Sequence, residues 1–257
     1  MSLATERLLA PRHGPDACRR CLNLVVDGGL CRACRNTEQR LAAVVPISYG
    51  VGGEWLHRLI MSYKRDADPS VPDAIATLAT VLDQFVVRHE RCLALAVGAR
   101  DGFHLITTVP SADPLRDLHH PLRWIVGSAC LATRDRYERL LVRSDSVVIP
   151  RVYDPARYAP TRHLDGEAVL LIDDMWTSGA SAESAAGALL AGGAGTVAAV
   201  VLARYVNRGW RRNDVLLRGL ATRSFAIERC VLCDVERSPG GVDESRQSLA
   251  SATPWQT

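Results

Sequence analysis

The stretch Val169 to Ala191, VLLIDDMWTSGASAESAAGALLA, constrains this chain more than any other. Four apolar residues, Val169-Leu170-Leu171-Ile172, read as a strand buried within a parallel sheet. Two carboxylates follow, Asp173 and Asp174, and then a run of small and hydroxyl side chains from Thr177 to Ser181. An alanine-rich helix comes next, stopped by the cap signal Gly192-Gly193. This order puts the acid pair and the loop at the carboxyl end of a strand, where open α/β folds bind ligands. A loop that opens a helix offers free N–H groups and the positive end of the dipole to an anion. Small side chains let a phosphate approach the backbone, and carboxylates accept from hydroxyls or attract a hydrated divalent cation. A sugar phosphate meets all of these conditions. The plainer alternative is an ordinary strand-to-helix turn with a solvated acid pair.

A second constraint lies near the N-terminus. Cys18-Arg19-Arg20-Cys21 and Cys31-Arg32-Ala33-Cys34 are two C-x-x-C knuckles whose separation fits one tetrahedral four-thiolate zinc site. Gly28-Gly29 supplies the turn between them. With every ligand coming from the chain, such a zinc is structural, and it supplies the folding energy that so small a module cannot find in a core. Two reduced cysteine couples without metal are the alternative. A third C-x-x-C, Cys230 and Cys233, stays open as a metal pair. Cys92 and Cys130 lack a partner at that spacing and are expected as buried small hydrophobes.

The chain has 257 residues, enough for one α/β core and a small module. No apolar h-region opens it and no apolar run reaches membrane-span length, so a cytoplasmic protein with no membrane partner is expected. The formal charge of +3 equals the excess within residues 1–40. Four thiolates around one Zn²⁺ would lower it there by two, so charge alone shows no strong nucleic-acid footprint.

Val44–Tyr49 reads as an edge strand, because Pro46 disfavours a central position. Helical spacing of Trp55, Leu56, Leu59, Ile60 and Tyr63 predicts a helix ending at Lys64, and Ile75, Leu78, Leu82 and Phe85 mark another. Lys64 is the one lysine of the sequence. It marks either a site that needs a compact ammonium or a solvated helix end. Phe103–Val109 reads as a central strand running into Pro110-Ser111, and residues 124–141 read as helix. A short strand is expected at Val147–Ile149, a connector over 151–166, a buried strand over Thr196–Ala203 and a covering helix within 208–220. Residues 238–257 are polar and Gly/Ser-rich and are expected to be disordered.

The string Asp173-Asp174-Met175-Trp176-Thr177-Ser178-Gly179-Ala180-Ser181 resembles the motif by which type I phosphoribosyltransferases bind 5-phosphoribosyl-1-pyrophosphate (PRPP). With the four-cysteine module ahead of it, the chain resembles the ComF-like, competence-associated branch of that family over roughly residues 15–204. Tyr49-Gly50, the Leu59-to-Lys64 helix end and Thr107-Thr108-Val109-Pro110 also match that branch. The resemblance implies an α/β fold, a type I phosphoribosyltransferase-like parallel sheet flanked by helices with a small zinc-ribbon-like module. It divides the chain into a zinc module (1–40), an α/β domain (41–220) and an extension (221–257).

By the same resemblance, Asp173 and Asp174 hold the ribose hydroxyls and Thr177, Ser178, Gly179, Ala180 and Ser181 hold the 5′-phosphate. Val109, Pro110 and Ser111 would hold pyrophosphate, with Lys64 and a mobile hood contributing Arg116, His119, His120 and Arg123. Mg²⁺ would accompany PRPP, and the acceptor would be an unidentified nitrogenous compound. Two departures stand out. Leu115–Arg123 replaces the branch's usual stretch after the Val-Pro loop, and Arg157, Thr161, Arg162 and His163 replace its series before the motif strand. A DNA or protein partner through the zinc module is the alternative role, and a homodimer stays open.

Overall fold

The structure is a computed structural model that describes residues 5–26, 28–64, 71–111, 113, 117, 119–147, 149–210, 212–221 and 224–235. Six strands carry the described fold: β1 (Ala43–Val51), β2 (Leu105–Thr108), β3 (Leu141–Arg143), β4 (Tyr158–Pro160), β5 (Ala168–Trp176) and β6 (Thr196–Val206). Its α-helices are α1 (Arg32–Arg35), α2 (Trp55–Ser62), α3 (Val71–Ala96), α4 (Pro121–Trp124), α5 (Ala180–Ala191), α6 (Asn213–Ala221) and α7 (Val231–Val235). Strands β1, β6, β5 and β2 form a parallel sheet in that order. The acid-pair strand β5 is therefore central, and β1 with its Pro46 is an edge.

Strand alternation sorts the core into two layers. Leu170, Ile172, Ala198 and Val200 pack with residues of α2 and α3, among them Ile60, Leu78, Leu82 and Phe85. Val169, Leu171, Val197 and Ala199 pack on the other face with Ala182, Ala185 and Leu189 of α5. The four N-terminal cysteines belong to this second layer. The Ala-rich composition of α5 follows from this: nearly every side of it is covered, so small side chains let it lie close to the sheet.

Glu183, in the first turn of α5, joins the cysteine module to that helix. Its carboxylate accepts from Arg20 Nε at 3.1 Å and from Arg20 Nη2 at 2.5 Å. It also accepts from the backbone N–H of Arg40 at 2.7 Å and of Leu41 at 2.9 Å. With 1% exposure, this carboxylate is stable there because every lone pair meets a donor.

Several sequence expectations need correction. Residues 124–141 do not form one helix. The chain passes from α4 into a π-helical turn at Ile125–Ala129, then a 3₁₀ turn at Arg134–Arg136. The Tyr137 ring lies against Gly127, where a Cβ would come within 2.5 Å of it. A continuous helix would hold those two residues about 15 Å apart. The fold-back lets residues 137–138 satisfy the open edge of β2: Tyr137 bridges Ile106, and Glu138 N–H donates to the Ile106 carbonyl at 2.9 Å. Of the strand expected at Val147–Ile149, Val147 and Ile149 are exposed and in no strand, and Val148 lies outside the described residues. Hairpin β3–β4 takes its place, so the 151–166 connector holds a strand. The covering helix is present as α6; the strand expected over 103–109 is regular only over β2 and is not central, since it stands at the end of the sheet beside β5. Residues 238–257 lie outside the described residues.

Replacing Glu183 with Gln keeps the side chain's shape but turns an amide N–H₂ toward donors and removes the charge opposite Arg20. Urea unfolding should show a loss of about 3 kcal/mol. A change below about 0.5 kcal/mol would show that Glu183 does not join the module to α5.

Candidate functional site

The carboxyl end of β5 collects the residues that the sequence singled out. Its register with β2 pairs Thr108 with Ile172, and Val109 N–H donates to the Ile172 carbonyl at 3.3 Å. This sets Val109-Pro110-Ser111 beside Asp173. One residue past the end of β5, Thr177 and Ser178 turn the chain into α5.

Gly179 caps α5 with φ +85°, and a Cβ there would fall 2.2 Å from the Trp176 ring. Glycine is therefore required twice over, by the left-handed backbone and by the indole beneath the loop. Ala180 is buried, Ser178 and Ser181 are half-buried, and Thr177 is exposed.

The two carboxylates sit in unlike surroundings. Asp174 is 5% exposed and faces the end of α2. Tyr63 Oη donates to its Oδ2, and Lys64 Nζ lies 3.0 Å from Oδ1 and 2.8 Å from Oδ2. Burial alone would raise its pKa, but the Lys64 charge and hydrogen bond, the Tyr63 hydroxyl and the nearby His120 hold it below the usual carboxylate range. Asp173 is half-buried and accepts from the Asp174 N–H at 2.9 Å. Burial, and then the Asp174 charge, push its pKa up to about 7. Lys64 is thus not a solvated helix end; it is an ion-pair partner of the acid pair.

Arg157 is a site residue whose role the sequence did not reveal. It is 4% exposed and donates from Nη1 to Ser181 Oγ at 3.1 Å, while Nη2 donates to the carbonyls of Ile149 and Val152. Its Nε and the Trp176 Nε1 are buried donors with no hydrogen-bond partner among the described residues. A guanidinium carries no periodicity, and its place beside the loop depends on hairpin β3–β4, which the sequence did not show.

On the β2 side, Ser111 N–H is taken by Asp117 Oδ1 at 2.7 Å. Asp117 in turn pairs with Arg139 at 2.6 Å, and Arg123 Nη1 donates to the Asp117 carbonyl at 2.6 Å. His120 is buried and packs edge-on against Tyr63, and His119 is exposed. Arg116 lies outside the described residues. Clefts are lined by other candidate residues, with neither Asp173 nor Asp174 in their walls. One of about 420 Å³ is lined by His119, His120, Arg123 and Tyr137. Another, of about 810 Å³, lies between the cysteine module and the loop, with Arg32, Asn36, Thr177, Ser178 and Arg204 in its wall.

Two groups of side chains are placed to hold a metal ion. Cys18, Cys21, Cys31 and Cys34 are all buried, with ligand atoms within 4.8 Å of one another. Cys21 and Cys31 sulfurs are 3.7 Å apart, and Cys31 N–H donates to Cys18 Sγ at 3.3 Å. Leu22 at φ +58° and the glycines Gly28 and Gly29 at φ +70° and +74° turn the chain so that the knuckles face each other. His89, Cys92, Cys230 and Cys233 form the other group. Cys92 is therefore not the isolated buried hydrophobe expected from the sequence, whereas Cys130 is buried and donates to Asp83 at 3.3 Å.

Fold and site together define a parallel α/β protein with a four-cysteine cluster at its N-terminus and an acid pair ahead of a helix-opening loop. Comparison with family models, with curated proteins and with solved structures returns no match. No helix among the described residues is long and apolar enough to cross a membrane.

The raised pKa of Asp173 makes stability depend on pH. The folded protein keeps this proton up to about pH 7, while the unfolded chain releases it near pH 4. The contribution is therefore present below pH 4 and lost as pH rises through 7. Asp173→Asn should raise stability at pH 8 by at least ~1 kcal/mol more than it does at pH 5.5, measured by urea unfolding without ligand. An equal effect at both pH values would contradict a raised Asp173.

Proposed function

We propose that this chain binds PRPP and transfers its 5-phosphoribosyl group to a nitrogenous acceptor, releasing pyrophosphate. The observation that carries the reading is the gathering, at the carboxyl end of the parallel strands, of an acid pair, a glycine-capped helix-opening loop and the Val109-Pro110-Ser111 strand end. The 5′-phosphate sits on Thr177–Ser181 over the α5 N-terminus, with the Arg157 guanidinium behind Ser181. Asp173 and Asp174 take the ribose hydroxyls. Pyrophosphate lies toward Val109–Ser111, where it takes the place of the Asp117 carboxylate on the Ser111 amide.

Displacement at the anomeric carbon builds positive charge on the ribose, and the acid pair lies where it stabilises that charge. Lys64 keeps Asp174 ionised until ligand arrives and then faces the pyrophosphate. Mg²⁺ arriving with PRPP supplies charge neutralisation for the leaving pyrophosphate. The N-terminal cluster suits a structural Zn²⁺, since four buried sulfurs at tetrahedral spacing leave no open position.

The second reading is a PRPP-responsive binding protein without turnover, acting on DNA or a protein partner through the zinc module. The Glu183 junction favours it, because it ties the phosphate-loop helix directly to that module. Pyrophosphate release with PRPP, Mg²⁺ and a panel of bases and amines separates the two readings.

Calorimetry tests the shared step. Asp173→Asn with Asp174→Asn should remove most PRPP affinity while the thermal melt stays cooperative; unchanged affinity would refute the site. In Lys64→Arg the charge is kept but a planar guanidinium replaces a compact ammonium. PRPP affinity should fall about tenfold, ~1.4 kcal/mol. If affinity holds and Lys64→Ala alters only thermal stability, Lys64 serves the fold alone.

A further inference from the structure

Helix α3 carries His89 and Cys92 one turn apart, so both side chains stand on one face. The C-terminal segment 225–233 returns to that face and brings Cys230 and Cys233, the latter 144 residues from His89 in sequence. The ligand atoms of all four lie within 4.8 Å of one another. Cys230 and Cys233 sulfurs are 3.4 Å apart, and His89 Nδ1 is 3.8 Å from Cys233 Sγ and 4.0 Å from Cys92 Sγ. Ligand atoms around a tetrahedral zinc are spaced roughly 3.5–3.8 Å apart.

The histidine ring is already set for ligation. Its Nε2 lies 2.7 Å from the Ile227 carbonyl. A carbonyl only accepts, so Nε2 carries the hydrogen and Nδ1 presents its lone pair to the three sulfurs. A ligating histidine is commonly held through its second nitrogen in this way. Cys230 N–H also donates to Cys233 Sγ at 3.1 Å, as Cys31 N–H does to Cys18 Sγ in the N-terminal cluster.

We propose that His89, Cys92, Cys230 and Cys233 bind a second zinc ion, in a Cys₃His centre that fastens the C-terminal segment to α3. Three thiolates and an imidazole at tetrahedral spacing suit Zn²⁺, and no protein position remains open for chemistry. The centre closes a long loop, while the segment itself adds few core residues, chiefly Ile227, Cys230 and Val231. A redox dithiol at Cys230 and Cys233 would leave the convergence of Cys92 and the oriented His89 without a purpose. This inference does not depend on the PRPP reading.

Zinc analysis and X-ray absorption on the full-length wild-type protein, purified without added metal, test it. The expected result is about two equivalents of zinc with an average shell near 3.5 sulfurs and 0.5 nitrogen. One equivalent in an all-sulfur shell, or a Cys230–Cys233 disulfide in fresh protein, would overturn the proposal. Cys230→Ser with Cys233→Ser should then drop the content from two equivalents to one, leave an all-sulfur shell and lower Tm. An unchanged metal content in that variant would also overturn it. The wild-type spectrum decides by itself should the variant fail to fold.

Discussion

One carboxylate, Glu183, sets the geometry on which the rest of the molecule depends. It lies in the first turn of α5, where free backbone N–H groups favour a negative charge. It accepts from the Arg20 side chain, between Cys18 and Cys21, and from the amides of Arg40 and Leu41, where the module passes into β1. Three things are positioned by one buried charge: the cysteine module, the entry to the edge strand and the helix that the Thr177–Ser178 loop opens. Such a group is costly to desolvate, and it is tolerated because its donors are backbone amides and an arginine held in place by packing. The first turn of α5 and the module are thereby joined by direct hydrogen bonds.

The acid pair carries the complementary asymmetry. Asp174 turns toward the end of α2 and is held ionised by Lys64 and Tyr63, whereas Asp173, buried beside the Asp174 charge and only partly relieved by the Lys64 charge, resists ionisation. Two adjacent carboxylates seldom lose both protons in a half-buried place without a cation or donors. In the proposed reading, ribose hydroxyls and the cation that accompanies pyrophosphate supply what Asp173 lacks. Perturbed carboxylates at the carboxyl end of a central strand are what a binding site leads one to expect.

Much of this was legible in the sequence, for reasons that can be traced to particular residues. Strand β5, its acids, the Gly179 loop and the Gly192 stop follow one another without interruption, so local pattern alone specifies them. The paired knuckles at Cys18–Cys21 and Cys31–Cys34 were legible because all four ligands lie within 17 consecutive positions. What failed was long-range. Residues 124–141 have helix-like apolar spacing, but the open edge of β2 competes for their backbone and Tyr137 folds onto Gly127. Arg157 gained meaning only when hairpin β3–β4 carried it to Ser181. Cys92 seemed solitary because its neighbours arrive from the far end of the chain.

The two cysteine clusters answer one physical problem on opposite faces of the sheet. A parallel sheet is stable only when both faces are covered. α5 covers one face with small side chains, and α2 with α3 covers the other. The segments added outside these layers, near residues 8–34 and 225–235, are too short to bury much apolar surface of their own. A metal clip stabilises such a segment with four ligands where a core would need many large side chains. The N-terminal cluster joins the α5 layer, and the Cys₃His group joins the α3 layer. The N-terminal cluster lies beside the Thr177–Ser178 loop that follows β5, whereas the Cys₃His group lies on α3, so the two clusters hold different layers of the same sheet.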